Sequence, residues 1–361
     1  MNDMNDHFHN LLNIADSRAE LQSQKLARQS ILKASVSRST AVVPLLVHEE
    51  PMPSENIESF LFRSAAQNAL KSASELQRVL NLPKSKAFSR KRHEQLSSSL
   101  GSELDAVAAT VPTNICDKFV LYGQHQLPKY HLALSTSRLC PSCIAADAYG
   151  KLHWNLAPVA VCEQHGIYLI DHCTCNPLAA LNTSRPGYAI CRCGMDLRHA
   201  ETHVARASAQ MLSNEIFRLF NASSDSAESV IGVQQWIVPR ETNLCGLLDL
   251  IVFLGGLDAN PKAMNLSFAR PLVRMAPVIE QFNQAADALF DWPNGMFSLF
   301  RSVGRKTAKG KGMAKAYDGL RHTTIAAERS LPHHLNKWFL DVIALYLATP
   351  SAWISNPVRH P

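Results

Sequence analysis

Clustered cysteines constrain the fold of this chain more than any other feature of its sequence. Seven of its nine cysteines fall between positions 140 and 193, and the two others are Cys116 and Cys245. The N-terminus lacks the basic segment and the apolar run of a secretory signal, so we expect a cytoplasmic protein. Thiols stay reduced in that compartment, and clustered cysteines there bind metal more often than they form disulfides.

The first part of the cluster consists of two paired motifs. Two residues separate the members of each pair, which lets both side chains enter the same half of a tetrahedron. We therefore predict a zinc ion bound by Cys140, Cys143, Cys162 and His165. The alternative is a set of buried free thiols beside a surface histidine, which the paired spacing at both ends disfavours.

The second part pairs Cys173 with Cys175 and Cys191 with Cys193. A gap of one residue suits knuckle geometry less well than a gap of two, yet four thiolates in two near pairs still predict a second zinc ion. The alternative is that one pair binds and that His172 or His199 completes the site. Sites with four protein ligands have no open position for water or substrate, so we expect both ions to be structural.

The composition fits a folded, mainly α-helical chain. Hydrophobic residues make up 46% and charged residues 18% of its 361 residues, which excludes wholesale disorder. Aromatic residues make up 7%, and this disfavours a many-stranded sheet. We predict a polar N-terminal arm (1–45), a helix-turn-helix domain (46–130), a double zinc-knuckle, zinc-ribbon-like module with short strands (131–200) and a C-terminal helical domain (201–361).

Capping signals predict two short helices in the second of these domains. Ser54 precedes acidic residues and an apolar helical repeat, and it is the predicted N-cap of the first helix. Ser72 and Glu75 have the spacing of a capping box for the second helix, which Pro83 should end. Two short helices joined by a tight turn match a helix-turn-helix in length.

Apolar spacing predicts further helices. Leu96, Leu100 and Leu104 recur every four residues and indicate a third helix. Residues 244–257 and 335–348 have the composition of buried helices. No apolar run reaches the roughly 20 residues needed to cross a membrane.

Basic residues predict contact with nucleic acid. The net charge of +6 is modest, so the positions of the charges matter more than their total. One basic stretch follows the helix-turn-helix, where it could reach phosphates beside a groove, and a second, between Arg301 and Lys315, is predicted to be a flexible cationic loop. The candidate nucleic-acid-binding residues are Lys84, Lys86, Arg90, Lys91, Arg92, Arg305, Lys306, Lys309 and Lys311. The alternative for both stretches is a solvated charged surface.

Sequence motifs do not indicate an enzyme. Zinc deaminases carry a proline before their Cys-x-x-Cys element, but Leu139 stands at that position here. The segment 304–312 has some of the glycines of a phosphate-binding loop, yet Gly312 occupies the place of the Ser or Thr that would hold Mg²⁺. We therefore expect a binding protein rather than a catalyst.

Several segments together resemble proteins of the TniQ family. One has a proline-rich entry followed by a Glu-Ser-hydrophobic-Arg helix, others match the family's zinc core and closing knuckle, and the last matches a later Trp-Pro turn. They are residues 51–63, 138–143, Trp154, 161–170, 191–197 and 291–295. The resemblance extends from about residue 45 to about residue 300, and it departs from the family where one residue, rather than two, separates Cys173 from Cys175.

The resemblance implies a role in DNA transposition. TniQ proteins are non-catalytic targeting components of Tn7-like transposons that recruit an AAA+ ATPase regulator, which brings in the transposase. The target would be chosen by a guide-RNA CRISPR effector ribonucleoprotein or by direct binding to attachment-site DNA, and the protein would act as a homodimer away from membranes. The alternative function is a zinc-containing helix-turn-helix transcriptional regulator that binds a specific sequence.

Overall fold

Helices dominate the described part of the chain. The computed structural model describes residues 45–81, 90–222, 238–239, 242–257, 274–307 and 312–349. Within these ranges it has eleven α-helices, which confirms the prediction of a mainly α fold. They are α1 (Ile57–Gln67), α2 (Ala73–Val79), α3 (Arg90–Leu100), α4 (Leu104–Thr110), α5 (Pro141–Ala146), α6 (Ala207–Asn221), α7 (Leu244–Gly256), α8 (Met275–Phe290), α9 (Asn294–Thr307), α10 (Gly312–Ser330) and α11 (His333–Ala348).

Short strands form two small antiparallel sheets in the described residues. The first sheet has the order β1 (Thr113–Asn114), β2 (Phe119–Tyr122), β3 (His125–Pro128). The second is a hairpin of β4 (His172–Cys173) and β5 (Asn176–Ala180), with a register irregularity between its first two residues. Cys173 therefore ends β4, and Cys175 lies within the two-residue turn that reverses the chain.

The first two helices lie where capping signals predicted them, with one correction. Ser72 caps α2 as predicted, because its side chain accepts a hydrogen bond from Glu75 N. Asn56, rather than Ser54, is the N-cap of α1, since its side chain accepts from Ser59 N. Ser54 instead adopts a positive φ of 57° in the preceding turn. The prediction that α1 begins after Ser54 was therefore wrong by two residues.

The predicted third helix is divided in two. Leu96 and Leu100 lie on α3, but Leu104 begins α4. Gly101 stands between them with a φ of 69°, a conformation that ends a helix readily because glycine has no Cβ. The segment around Gly101 therefore turns the chain where a four-residue repeat alone suggested a continuous helix.

The C-terminal helices include the two predicted from apolar runs. α7 and α11 correspond to the predicted buried helices, and the rings of Phe253 and Phe339 meet edge to face at 5.1 Å between centroids. The prediction of a flexible cationic loop between Arg301 and Lys315 was wrong over most of that segment. α9 continues to Thr307, and α10 begins at Gly312.

Two hydrophobic clusters form the core. The larger contains the strand residues of β2 and β3, residues of the first cysteine set and helices α6 to α11. The smaller contains α1 to α4 together with Cys173, Cys191 and Leu197. All described residues belong to one compact unit that spans residues 44–361, and the four-domain division stays a prediction.

Helices of the described ranges are too short or too polar to span a bilayer.

Candidate metal centres

Four side chains from two separate turns meet in the first cluster. Cys143 Sγ lies 3.5 Å from Cys162 Sγ and 3.2 Å from His165 Nδ1. His165 Nδ1 also lies 3.6 Å from the Sγ atoms of Cys140 and Cys162. The three cysteines are fully buried, and His165 lies nearer the solvent. The structure thus brings together all four predicted ligands of the first site.

Backbone capping and a glycine turn position these four side chains. Cys140 is the N-cap of α5, and Pro141 takes the first helical position, which suits its fixed φ. On the other side, Gly166 adopts a φ of 62°, and hydrogen bonds from Gly166 N to Cys162 O and from Cys162 N to Ile167 O close the turn. Each pair of ligands is therefore presented from a rigid local element.

The spacing of the four donor atoms fits a tetrahedral metal ion. Zinc bonds of about 2.3 Å to sulfur and about 2.0 Å to nitrogen place neighbouring ligand atoms roughly 3.3–3.8 Å apart. Four of the six separations run from 3.2 to 3.6 Å, and all six are within 4.8 Å. The residues present therefore fit such an ion, with no position left open by the four protein ligands.

The ionisation of the thiols points the same way. Hydrogen bonds from Cys143 and Cys162 lower the pKa of Cys140 to about 4. Sharing the same contacts with Cys140 and Cys162 raises the pKa of Cys143. Three thiolates in so small a space would repel one another, and a bound cation would balance their charge.

Side chains around the first cluster tie it to the helical part of the chain. His153 donates a hydrogen bond from Nε2 to Glu163 Oε2 at 2.8 Å. Burial acts to raise the pKa of Glu163, but this hydrogen bond and the charge of His153 outweigh burial, so the pKa is lowered. Ser213, on α6, donates to the carbonyl of Val161 at 2.7 Å. The loop that carries Cys162 is therefore held on both sides.

The second cluster consists of the four predicted cysteines. Cys173 Sγ lies 3.8 Å from Cys193 Sγ, and Cys175 Sγ lies 3.7 Å from Cys191 Sγ. All four Sγ atoms lie within 4.8 Å of one another. Cys173 and Cys191 are buried, whereas Cys175 and Cys193 are exposed. This set also fits a tetrahedral ion, in a more solvent-exposed place than the first.

Local turns explain the shape of the second cluster. Gly194 adopts a φ of 89° and donates its backbone N–H to the carbonyl of Cys191, while Cys191 N donates to Met195 O. The backbone hydrogen bond from Met195 lowers the pKa of Cys193 to about 7. Among the described residues, the ligand group contains neither His172, whose Nδ1 bonds to Asp171, nor His199.

A buried ion pair links the second cluster to α1. Arg185 Nη1 lies 3.2 Å from Glu58 Oε1 and donates to Ser137 Oγ at 2.8 Å. The guanidinium also lies 4.5 Å from the ring centroid of Phe62 and 5.2 Å from that of Tyr188. Sequence reasoning missed this network, because Arg185 follows Glu58 by more than a hundred residues and no local pattern pairs the two.

The structure describes only part of the predicted nucleic-acid-binding set. Lys84, Lys86, Lys309 and Lys311 lie outside the described residues. Arg90, Lys91 and Arg92 form the first turn of α3, and Arg305 and Lys306 lie in the last turn of α9. His93, which adjoins the first basic stretch, is buried, and burial lowers its pKa. The nucleic-acid role of these residues stays a prediction.

Comparison with protein families gives a match for the first cluster and its surroundings. The TniQ family model matches residues 46–169. The matched segment is 124 of the 361 residues. The match takes in α1 to α5, the first sheet and all four residues of the first cluster, and it ends before Cys173. Comparison with curated proteins finds no match to the chain.

The TniQ match covers part of the segment that resembles the family. The matched residues contain the proline-rich entry and the zinc core that the sequence predicted for the family. The closing knuckle at 191–197 and the Trp-Pro turn at 291–295 lie outside them. The match to the TniQ model therefore rests on the N-terminal part of the chain, and the second cluster lies outside the matched residues.

Proposed function

We propose that this protein is a non-catalytic adaptor for DNA transposition, which connects recognition of a target site to recruitment of an AAA+ ATPase and its transposase. The TniQ match over residues 46–169 carries the proposal, because the TniQ domain is associated with the selection of transposition targets. The chemistry required of such an adaptor is binding, through basic side chains to phosphate and through apolar surfaces to protein partners.

Two bound zinc ions are part of the proposal. Donor sets of three thiols with one imidazole and of four thiols are those that zinc prefers in structural sites. Cys140, Cys143, Cys162 and His165 would hold the first ion, and the four cysteines between 173 and 193 the second. Each ion would supply binding free energy on the order of 10 kcal/mol to its part of the fold, and neither would have an open position for catalysis.

The helix pair α1 and α2 supports a nucleic-acid role. The two helices contact each other, with residues 68–72 between them, as in a helix-turn-helix. The basic first turn of α3 follows at Arg90. We propose that these elements approach the phosphate backbone of the target, either with a guide-RNA effector ribonucleoprotein or on attachment-site DNA, and that the protein acts as a homodimer.

Co-purification tests the adaptor function. The tagged full chain is expressed with the candidate AAA+ ATPase and with the candidate CRISPR effector complex, and each partner is measured after affinity capture. Recovery of the ATPase in a complex that resists washing supports the proposal. Cys116→Ser changes an exposed cysteine outside both clusters. This control variant should recover the same partners as the wild type.

Footprinting distinguishes the adaptor from a transcriptional regulator. A regulator with the same helices would protect a defined duplex by itself, with half-sites about one helical turn apart if it is dimeric. An adaptor guided by RNA should show only salt-sensitive, sequence-independent affinity until the effector is added. Protection of one specific duplex by the protein alone, with no ATPase recovered, would contradict the adaptor.

A further inference from the structure

A third group of metal-ligand side chains lies away from both cysteine clusters. It consists of His131, Cys245 and Asp249, whose ligand atoms all lie within 4.8 Å of one another. His131 is fully buried, Asp249 is buried, and Cys245 is partly buried. The group brings a nitrogen, a sulfur and an oxygen donor to one point.

Two elements of the fold build this group. Cys245 and Asp249 lie four residues apart on α7, so their side chains project from the same face of the helix. His131 ends the short 3₁₀ turn Lys129–His131 that follows β3. The group therefore joins the segment that matches the TniQ model to a helix outside the matched residues.

The surroundings of Asp249 call for a positive charge. Asp249 is the only charged residue of α7, whose other side chains are apolar or small. Its ion pair among the described residues is with His131, and Asp249 Oδ1 accepts from Tyr130 Oη at 2.7 Å and lies 2.9 Å from His131 Nε2. A carboxylate buried in apolar surroundings is costly unless a cation balances it.

Hydrogen bonding alone leaves the group incomplete. His131 Nδ1 is buried and has no hydrogen-bond partner among the described residues. A simple His131–Asp249 pair does not account for the thiol of Cys245 beside it. Because His131 Nε2 is the ring nitrogen that faces Asp249, it is the atom that would bind a shared ion, and ligand sets of His, Cys and Asp suit zinc and similar ions.

We propose that His131, Cys245 and Asp249 bind a third transition-metal ion of the zinc class. A divalent ion would balance the charges of an ionised thiol and an ionised carboxylate, and Tyr130 would orient the carboxylate from outside the ligand set. The ion would fasten α7 to the turn after β3. Three protein ligands leave room for one further ligand, in contrast to the two closed clusters.

Zinc content of the whole protein tests this proposal. The full chain and its variants are loaded with zinc, passed through a desalting column and measured by elemental analysis. The wild type should hold about three equivalents per chain, and Cys245→Ser should hold about one fewer. Cys116→Ser is the matched control and should keep all three. Two equivalents in the wild type, unchanged in Cys245→Ser, would overturn the third site and leave the two-cluster account standing.

Alkylation of the wild type decides the matter if Cys245→Ser does not fold. Zinc is added to protein that holds two equivalents, and the reaction of each cysteine with iodoacetamide is followed by mass spectrometry. Bound metal should slow the alkylation of Cys245 about tenfold or more, because the coordinated thiolate is no longer a free nucleophile. Cys116 should react at an unchanged rate. Equal rates for Cys245 with and without added zinc would overturn the proposal.

Discussion

Gln210 donates a hydrogen bond from its side-chain amide to the backbone carbonyl of Glu163, at 2.6 Å. This hydrogen bond connects α6 directly to the turn that carries Cys162 and His165. A Cβ placed on Gly166 would lie 2.5 Å from Gln210 Oε1. Gln210 therefore couples the geometry of the first cluster to the seating of α6, in addition to the hydrogen bond from Ser213 to Val161.

We expect Gly166→Ala to weaken both the fold and the first metal site. Gly166 has a φ of 62°, where a side chain is strained by about 1 kcal/mol or more, and the added methyl group would displace Gln210. Thermal unfolding and competition with a zinc chelator measure the two effects. Gly304→Ala is the control, because no atom lies within 4 Å of the added Cβ and alanine favours a helix by up to about 1 kcal/mol. Equal stability of both variants would contradict the coupling.

The buried pair of Glu58 and Arg185 gives a second prediction. Arg185→Met keeps most of the side-chain volume but removes the guanidinium partner of a buried carboxylate, which should cost about 3–5 kcal/mol. Urea unfolding measures the decrease in stability. Arg198→Met is the control, because Arg198 pairs with Asp196 at the surface and its removal should matter far less. Equal destabilisation of both variants would contradict a stabilising role for the buried pair between α1 and the second cluster.

Stability should depend on pH through His93. Burial lowers the pKa of His93 in the folded protein below its usual value of 6.5, so the unfolded chain takes up a proton first as the pH falls. Protonation of the unfolded chain lowers the free energy of unfolding. The contribution of neutral, buried His93 to stability is therefore complete above the unfolded pKa, and it is lost as the pH falls from there through the lower folded pKa. Urea unfolding at about pH 7.5 and about pH 5.5 should show a smaller difference for His93→Gln than for the wild type. His333→Gln, an exposed histidine, is the control, and an identical pH dependence in His93→Gln would contradict the prediction.

The basic start of α3 gives a prediction for nucleic-acid binding. Replacing Arg90, Lys91 and Arg92 together by Ala should weaken binding to duplex DNA. The slope of log affinity against log salt should fall by about one for each phosphate that the variant no longer neutralises. Fluorescence anisotropy at several salt concentrations measures both quantities. The control replaces three exposed basic residues elsewhere, Lys118, Arg198 and Lys337. An unchanged slope in the α3 variant would assign this stretch to solvated surface.

The sequence predicted the two cysteine clusters because their signal is local. Ligands two or three residues apart must share a turn whatever the rest of the chain does, so the spacing of Cys140 and Cys143 carried the prediction. The prediction of the N-cap of α1 was wrong because contacts with a distant segment determine where the helix begins. Asn56 N donates a hydrogen bond to Gly150 O, and Glu55 forms a β-bridge with Lys151. No pattern within residues 51–63 contains that information.

Groups assembled across the chain were not visible in the sequence. His131 and Asp249 are separated by 118 positions, and only the four-residue spacing of Cys245 and Asp249 on one helix gave a signal. Gly101 is a similar case, because its place between two leucines of a regular repeat does not reveal the turn it makes. Contacts between distant segments, rather than local preference, determined both outcomes.

The metal content of a double variant tests the central claim most directly. Cys140→Ser and Cys173→Ser together disrupt both clusters, and the full chain is measured by elemental analysis and by thermal unfolding beside the wild type and Cys116→Ser. The account predicts a decrease of about two zinc equivalents per chain and the disappearance of a cooperative unfolding transition. A double variant that binds as much zinc as the wild type, or that unfolds cooperatively at the same temperature without it, would contradict the account.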